Sequence, residues 1–153
     1  MRSKQKGFSL IELLIVVAII LIIAAIAIPN LLRSKMAANQ ASAVASLRTL
    51  NTSAVLFETN YNLYPTALSN MATPGSGTAV SSTAADLIDA VLATGTKSGY
   101  KFTWAGGGTT GAYTINADPV GSGGQIHYFT DQSLVIRSNA TTTAAVTDPA
   151  IGN

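Results

Sequence analysis

The chain has 153 residues, of which 48% are hydrophobic and only 10% are charged, against about 25% charged residues in a typical soluble domain. This length fits one domain, or one domain with an appendage, and so low a charge content excludes a Lys/Arg-rich nucleic-acid-binding surface and an acidic disordered chain. The sequence contains no cysteine and one histidine, His127, which excludes disulfides, thiolate metal sites, cysteine nucleophiles and any site with two histidine ligands.

The formal net charge of +2 comes from the first seven residues. Arg2, Lys4 and Lys6 lie there without an acidic residue, whereas the chain from Phe8 onward carries six basic and seven acidic residues. Without residues 1–7 the formal charge is therefore −1. The basic character belongs to this short leader and indicates nothing about partners of the rest of the chain.

The first predicted element is an apolar helix over residues 8–28. A helix of that length measures about 32 Å and can cross a membrane core. Since the basic residues precede the apolar run, we expect them to stay in the cytoplasm and the rest of the chain to lie outside. Two alternatives are a secretory signal cleaved after Ala25-Ile26-Ala27 and a plain membrane anchor. Neither needs Glu12, a carboxylate near the start of the run, where an ionisable group is costly.

The residues around Glu12 form an ordered motif. They read Lys6-Gly7-Phe8-Ser9-Leu10-Ile11-Glu12-Leu13-Leu14 and are followed by the apolar run and Ile28-Pro29-Asn30. The motif resembles the class III signal of type IV pilins and type II secretion pseudopilins. The resemblance implies that a prepilin peptidase cuts between Gly7 and Phe8, removes residues 1–7 and N-methylates Phe8. It also implies that Glu12 pairs with the terminal amine of a neighbouring subunit, so that identical subunits polymerise through this helix.

Elementary physical chemistry agrees with these roles. Gly7 gives a protease an unhindered backbone, and Glu12 lies in the first turns of the helix, where the helix dipole favours a negative charge. In a bundle as apolar as lipid, one buried amine–carboxylate pair can fix the helix register, because sliding leaves both charges unpaired. We therefore interpret Glu12 as an assembly residue and not as a catalytic acid.

Residues 29–61 are predicted to form the amphipathic half of the same long helix. Pro29 removes a backbone donor and is predicted to kink or locally melt the helix; the alternative is a helix that stops there, with a new helix from Asn30. Similar proteins keep one helix through this proline. The apolar stripe, which should pack against a globular head, comprises Val44, Leu47, Ala54, Phe57 and Tyr61, with Leu50 near it and Arg48, Asn51, Thr52 and Glu58 off it. The other face stays available, and in a filament it would meet other subunits.

Residues 62–153 are predicted to form the head. Residues 71–82 have the composition of an exposed loop, and Ser82 or Thr83 is predicted to cap a short helix over residues 84–92. Four strands, at 100–104, 112–116, 125–130 and 134–137, should form an antiparallel meander over the helix, and 138–153 an exposed tail. The predicted fold class is α+β, in line with the type IV pilin fold that the resemblance implies.

The head contains no pattern typical of an enzyme. Gly106-Gly107-Gly108 lacks the ending and the following helix of a phosphate loop and is interpreted as a hairpin turn. Asp118 and Asp131 are candidate calcium ligands, because major pseudopilins have a calcium site, but no EF-hand pattern is present and Asp118-Pro119 reads more simply as a turn. His127 is interpreted as an ordinary strand residue, and Tyr100 and Trp104, which share one face of a strand, as core residues. The sequence thus predicts no enzyme, no metal and no cofactor.

Three functions remain open. We favour a structural subunit of a type IV pilus over a type II secretion pseudopilin, because no clear calcium loop is present and a weakly charged Ser/Thr/Asn-rich surface suits an extracellular fibre. The lack of cysteine departs from pilins that close the head with a disulfide. A membrane-anchored binding module that never polymerises would have no partner amine for Glu12. The resemblance implies as partners identical subunits, the prepilin peptidase and an inner-membrane assembly platform, with no nucleic acid established. It implies a single-pass precursor in the inner membrane and a surface pilus once assembled.

Overall fold

One helix, α1, extends from Leu10 to Tyr61 and passes through both units into which the chain divides, between Lys35 and Met36. The computed structural model describes residues 7–109 and 111–152. Residues 1–6 of the predicted leader therefore lie outside the described part of the chain. The two units are described in turn.

In the first unit, the helical residues up to Lys35 are almost all exposed, including apolar ones such as Ile11, Ile20 and Leu31. By length and composition α1 can span a membrane. Pro29 lies inside the helix, so the alternative of a helix stop at this residue is wrong. Membrane-spanning helices tolerate proline because neighbouring helices, side chains or local backbone adjustments satisfy the carbonyl that loses its hydrogen bond.

In the second unit, α1 buries one face in the core of the head. The buried residues of this face are Ala43, Ser46, Leu47, Leu50, Asn51, Ser53, Ala54 and Phe57. The predicted stripe is confirmed at its centre, whereas Val44 and Tyr61 are half-buried. The placement of Asn51 off the stripe is wrong, since Asn51 lies four positions after Leu47 and three before Ala54, on the same side of the helix.

An antiparallel meander of five strands completes this core and confirms the α+β class. The strands are β1 (Thr96–Lys97), β2 (Tyr100–Gly106), β3 (Tyr113–Pro119), β4 (His127–Asp131) and β5 (Arg137–Asn139), each paired with the next. Side chains alternate between the two faces of a strand. Tyr100, Phe102, Tyr113, Ile115, Ala117 and Tyr128 accordingly share one hydrophobic core with the buried residues of α1.

The short helix, α2, begins later than predicted, at Ala90, and ends at Ala93. Asp89 is its N-cap and accepts a hydrogen bond from the Leu92 amide over 2.9 Å. The prediction of a helix over residues 84–92, capped by Ser82 or Thr83, is wrong. The amides of Leu87 and Ile88 donate instead to the Met71 carbonyl, at 2.8 and 3.0 Å, next to a 3-10 helix over Leu68–Met71. This pairing with a distant segment outweighs the local helical pattern.

The predicted strand over residues 134–137 is wrong at its start. Leu134 has a left-handed backbone with φ of 64°, and its amide donates to the Asp131 carbonyl in a tight turn. The turn therefore takes up Leu134, and β5 begins only at Arg137.

Residues 138–152 are mostly exposed, as predicted, but the prediction of an unpacked tail is wrong. Ala144 is buried, and its carbonyl accepts a hydrogen bond from Asn116 Nδ2 over 2.8 Å. The Ile151 amide donates to the Ile136 carbonyl over 2.9 Å. Such packing depends on single backbone contacts with remote residues, and these leave no periodic pattern in the sequence.

The glycine run is more than a hairpin turn. The Gly108 amide donates to the Tyr64 carbonyl over 2.8 Å, so the loop pairs with the segment that follows α1. Gly107 has φ of 92°, and a Cβ there would overlap the Pro65 carbonyl. Only glycine fits this close approach.

Candidate assembly and processing site

The predicted cleavage point lies on exposed, non-helical backbone. Gly7, Phe8 and Ser9 precede α1 without regular structure, and all three are exposed. A Cβ at Gly7 would meet no atom within 4 Å. The bond between Gly7 and Phe8 is thus accessible to a protease. Cleavage itself, and methylation of Phe8, stay predictions.

Glu12 stands in the first turn of α1. Its Oε2 atom accepts a hydrogen bond from the Ser9 amide over 2.9 Å, and the Leu13 amide donates to the Ser9 carbonyl over 3.2 Å. This hydrogen bond is one of the two that form a capping box: the carboxylate at the third helical position accepts from the backbone amide of the N-cap residue, here Ser9. Oε1 has no hydrogen-bond partner within residues 7–109 and 111–152, and Glu12 follows the predicted new terminus at Phe8 by four residues.

The rest of this apolar segment carries no charged residue. No charged residue occurs between Glu12 and Arg33, so Glu12 is the single charge of the predicted membrane span. In this apolar segment, the Glu12 carboxylate is therefore the charged group that a partner could bind. The role of Pro29 in assembly is a prediction that the helix conformation alone does not test.

The candidate calcium ligands do not come together. Asp131 is paired with Thr114 across the β3–β4 ladder, and Asp118 lies four residues further along β3, about 13 Å away at the rise of a strand. Each carboxylate has its own partner: Asp118 Oδ1 lies 2.6 Å from His127 Nδ1, and Asp131 accepts from the Ser133 amide and hydroxyl. Among the described residues, no group of three His, Asp or Glu side chains is arranged to hold a metal ion.

A buried polar cluster links α1 to the sheet, and sequence reasoning missed it. Asn51 Nδ2 donates to Thr130 Oγ1 over 2.9 Å, and Tyr113 Oη donates to Asn51 Oδ1 over 3.3 Å. Burial, reinforced by Tyr64 and Asp131, raises the pKa of the Tyr113 phenol above its ordinary value. The signal that could have revealed the cluster was the helical spacing of Asn51 from Leu47 and Ala54.

The aromatic residues behave as core, as predicted for Tyr100. Its hydroxyl donates to the Ile126 carbonyl over 2.8 Å, and burial raises its pKa to about 12. Trp104 is half-buried and stacks on Tyr113 with ring centroids 4.6 Å apart. These rings belong to the core that the sheet shares with α1. The residues of the predicted processing motif lie near the start of the chain.

Comparisons with known proteins agree with the motif. The model of the prokaryotic N-terminal methylation motif matches residues 2–28. The chain is 34% identical over 65 residues to the type II secretion system core protein G of Aeromonas hydrophila, which covers 42% of this chain and 46% of that protein.

Two pilus proteins match a similar share of the chain. Identity is 50% over 58 residues to the type IV wide pilus major component PilA4 of Thermus thermophilus, covering 38% of this chain and 41% of that protein. It is 44% over 61 residues to the type IV major pilin PilA of Myxococcus xanthus, covering 40% and 28%. The chain thus spans less than half the length of the curated relatives it matches. The N-terminal part of the chain is thus similar to that of type IV pilins and of type II secretion pseudopilins.

Proposed function

We propose that the chain is a structural subunit of a type IV pilus, polymerising with identical copies through its N-terminal helix after a prepilin peptidase has cut between Gly7 and Phe8. One observation carries the proposal: an accessible Gly7–Phe8 bond stands directly before an exposed apolar helix whose single charge, Glu12, lies in the first turn. This role is structural and needs no catalytic group.

The exposed surface of the first unit supports polymerisation. Large apolar side chains from Leu10 to Leu32 are exposed on every side of the helix, and a soluble protein rarely leaves so large an apolar surface uncovered. We infer that membrane lipid covers it in the precursor and that the same helix of neighbouring copies covers it in the fibre. Glu12 then pairs with the Phe8 amine of a neighbour, since an unpaired charge in such a bundle is costly.

A second candidate is a pseudopilin of a type II secretion system. Several relatives, including that of Aeromonas hydrophila, carry the name of core protein G of that system. The head supports the pilus instead, because Asp118 and Asp131 lie in different parts of the sheet and each is bound to a neighbouring side chain. A calcium site built on these two carboxylates would need them to converge.

Sheared cell-surface material distinguishes the candidates. In the native host, electron microscopy should show fibres, and mass spectrometry of these fibres should find the chain starting at N-methyl-Phe8. Deletion of the gene should remove the fibres and leave protein secretion unchanged. Loss of secretion with no surface fibre would identify a pseudopilin. A chain that stays monomeric in the inner membrane under both tests would be an anchored module.

A further inference from the structure

The face of the sheet that points away from α1 carries a groove at one end of β2, β3 and β4. The groove has a volume of about 590 Å³, which is within the usual range for small-molecule sites. Its exposed lining is mainly apolar. The residues that line it include Ala105, Thr114, Phe129, Asp131, Ala145 and Val146.

The register of the strands builds the floor of this groove. Ala105 lies opposite Thr114, and Thr114 lies opposite Asp131. Directly opposed residues share one face of a sheet. Thr130, the residue before Asp131, points into the core, where it accepts from Asn51. Since side chains alternate along a strand, Asp131 and its two cross-strand neighbours face away from α1.

The segment after β5 forms one wall of the groove, with Ala145 and Val146. Asn116 Nδ2 donates to the Ala144 carbonyl over 2.8 Å and holds this segment on the sheet. The Ala145 amide donates to Asp148 Oδ2 over 2.7 Å. Because both hydrogen bonds lie within the head, the groove exists without a ligand, as is usual for binding sites of small molecules.

Asp131 brings a negative charge to this apolar groove, although only 8% of its surface is exposed. Its Oδ1 atom accepts from the amide and the hydroxyl of Ser133, over 2.9 and 2.5 Å. Oδ2 has no hydrogen-bond partner within residues 7–109 and 111–152, and no basic side chain in these ranges forms an ion pair with Asp131. A buried carboxylate is costly without such a partner. The groove therefore favours a ligand that carries a positive charge.

Two further oxygen acceptors line the groove beside Asp131. The Thr114 hydroxyl and the side-chain amide of the exposed Gln132 make no hydrogen bond with the described part of the chain. Together with Asp131 Oδ2 they supply three acceptors. A primary ammonium group has three donors and no acceptor, so this kind of cation matches the polar part of the groove.

We propose that the groove binds a small organic molecule in which one primary ammonium group is joined to an apolar body, such as an aryl or alkyl amine. The ammonium group donates to Asp131 Oδ2, and the apolar body packs against Phe129, Ala145 and Val146. The groove lies on the face of the sheet away from α1. The inference therefore goes beyond the proposed function and applies to a pilus subunit and a pseudopilin alike.

Phenethylamine, added to the full chain in detergent, is the first probe, and the chemical shifts of the backbone amides measure binding. The shifts should saturate and should centre on the groove around Thr114 and Asp131. 2-Phenylethanol has a similar body without the charge and should bind about tenfold more weakly, since it forms no charged hydrogen bond. Equal affinities of the two compounds, the absence of saturation, or shifts centred outside the groove would overturn the proposal.

Charge variants test the role of Asp131. Asp131→Asn keeps an oxygen for the Ser133 donors but removes the charge, so it should weaken phenethylamine binding about tenfold. Asp86→Asn is the matched control. It removes an exposed carboxylate outside the groove, and asparagine suits the left-handed backbone of residue 86, with φ of 54°. Its affinity should equal that of wild type, and equal affinities of the two variants would contradict the proposal.

A steric variant tests the apolar part and does not depend on the stability of Asp131→Asn. Ala105→Phe fills the groove from an exposed strand position, where an aromatic side chain suits the strand. It should abolish phenethylamine binding without lowering the unfolding temperature. Thr103→Phe is the control, since Thr103 is exposed on the same face of β2 but does not line the groove. Wild-type affinity of Ala105→Phe would exclude the groove as the site.

A last comparison separates a small amine from a lysine side chain of another protein. Nα-acetyl-lysine methylamide carries the same ammonium group on an aliphatic stem with a polar backbone. It should bind the full chain more weakly than phenethylamine, because the lining of the groove is mainly apolar. Tighter binding of the lysine derivative would identify a protein as the occupant and would overturn the proposal of a small-molecule site.

Discussion

Asn51 on α1 donates a hydrogen bond to Thr130 on β4 over 2.9 Å, and both side chains are buried. The Asn51 carbonyl oxygen accepts in turn from Tyr113 on β3. A shift of the helix by one turn would leave these polar groups unpaired in an apolar core. We infer that this cluster fixes the position of α1 on the sheet, because apolar contacts alone tolerate such shifts.

Replacing Asn51 by alanine should lower the free energy of unfolding by about 1–3 kcal/mol, since Thr130 and Tyr113 lose a buried partner. The variant Thr130→Val removes the other end of the bond. The loss in the double variant should be smaller than the sum of the two single losses. Urea unfolding of all four chains measures this coupling, and strict additivity would contradict it.

The long helix, its apolar and amphipathic halves and the antiparallel head could be predicted from sequence because each has a periodic pattern. The burial of Asn51 could not be predicted, because a polar side chain on a helix is normally assigned to solvent. Its two hydrogen-bond partners, Thr130 and Tyr113, lie 79 and 62 positions away in the sequence. The packing of the segment after β5 could not be predicted for a similar reason. Its packing depends on single contacts such as that of Asn116 with Ala144.

The processing motif could be recognised in full, since it is a short, ordered run of residues. The hydrogen bond from the Ser9 amide to Glu12 could not be predicted from the sequence, because it depends on the residue at which α1 begins. It gives Glu12 a local structural role besides the predicted role in assembly, and variants must separate the two.

Glu12→Gln performs that separation. Glutamine can still accept from the Ser9 amide and so preserve the capping box, but it cannot pair as an anion with a neighbour's amine. We expect Glu12→Gln and Glu12→Ala to insert and to be cleaved normally. Both should assemble poorly beside wild type, because the loss of one partner of a buried ion pair costs about 3–5 kcal/mol. Fibre yield is the measurement. A wild-type yield from Glu12→Gln would show that Glu12 serves only to cap the helix and does not pair with a neighbour's amine.

Gly7 substituted by a bulky residue should leave an uncleaved precursor in the membrane and no fibres. The fold itself has room for a larger side chain at residue 7, since a Cβ there would meet no atom within 4 Å. We therefore expect the substitution to block cleavage by the protease and not folding. Intact mass should therefore show all 153 residues, where the wild-type chain should have 146 and begin at N-methyl-Phe8. Normal maturation of the variant, or a wild-type terminus at Ile28, would place the cut elsewhere.

The chain expressed from Ala37 onward should be soluble, cooperative in unfolding and monomeric. It corresponds closely to the second unit, which begins at Met36, and a domain of this size buries roughly 60–70% of its chain surface without disulfides. Thermal unfolding and light scattering are the measurements. A broad, non-cooperative transition would show that the head needs the apolar helix, and filaments of the truncated chain would show that this helix is not the centre of assembly.

Alkaline pH should destabilise the head. Burial raises the pKa of Tyr100 to about 12 and also raises that of Tyr113 and Tyr128, whereas an unfolded tyrosine has a pKa of about 10. The folded state thus holds these protons more tightly, so the contribution of these tyrosines to stability should be constant below about pH 10 and fall as the pH rises towards 12.

Urea unfolding of the chain from Ala37 between pH 8 and pH 11 measures this dependence. Tyr100→Phe should be less stable than wild type at pH 8, because it loses the hydrogen bond to the Ile126 carbonyl. Above pH 10 its stability should fall less steeply. Parallel curves for the two proteins would exclude Tyr100 as a source of the pH dependence.

The sequential strand order has a consequence for how the head forms in time. Every strand from β2 to β5 pairs with the one made just before it, so each hairpin can close as soon as its second strand is synthesised. Such local pairing favours rapid folding. Until β5 arrives, however, β4 is an open sheet edge that another unfinished chain could join. We expect chains truncated before Arg137 to aggregate during synthesis, even though they retain most of the buried residues of the core.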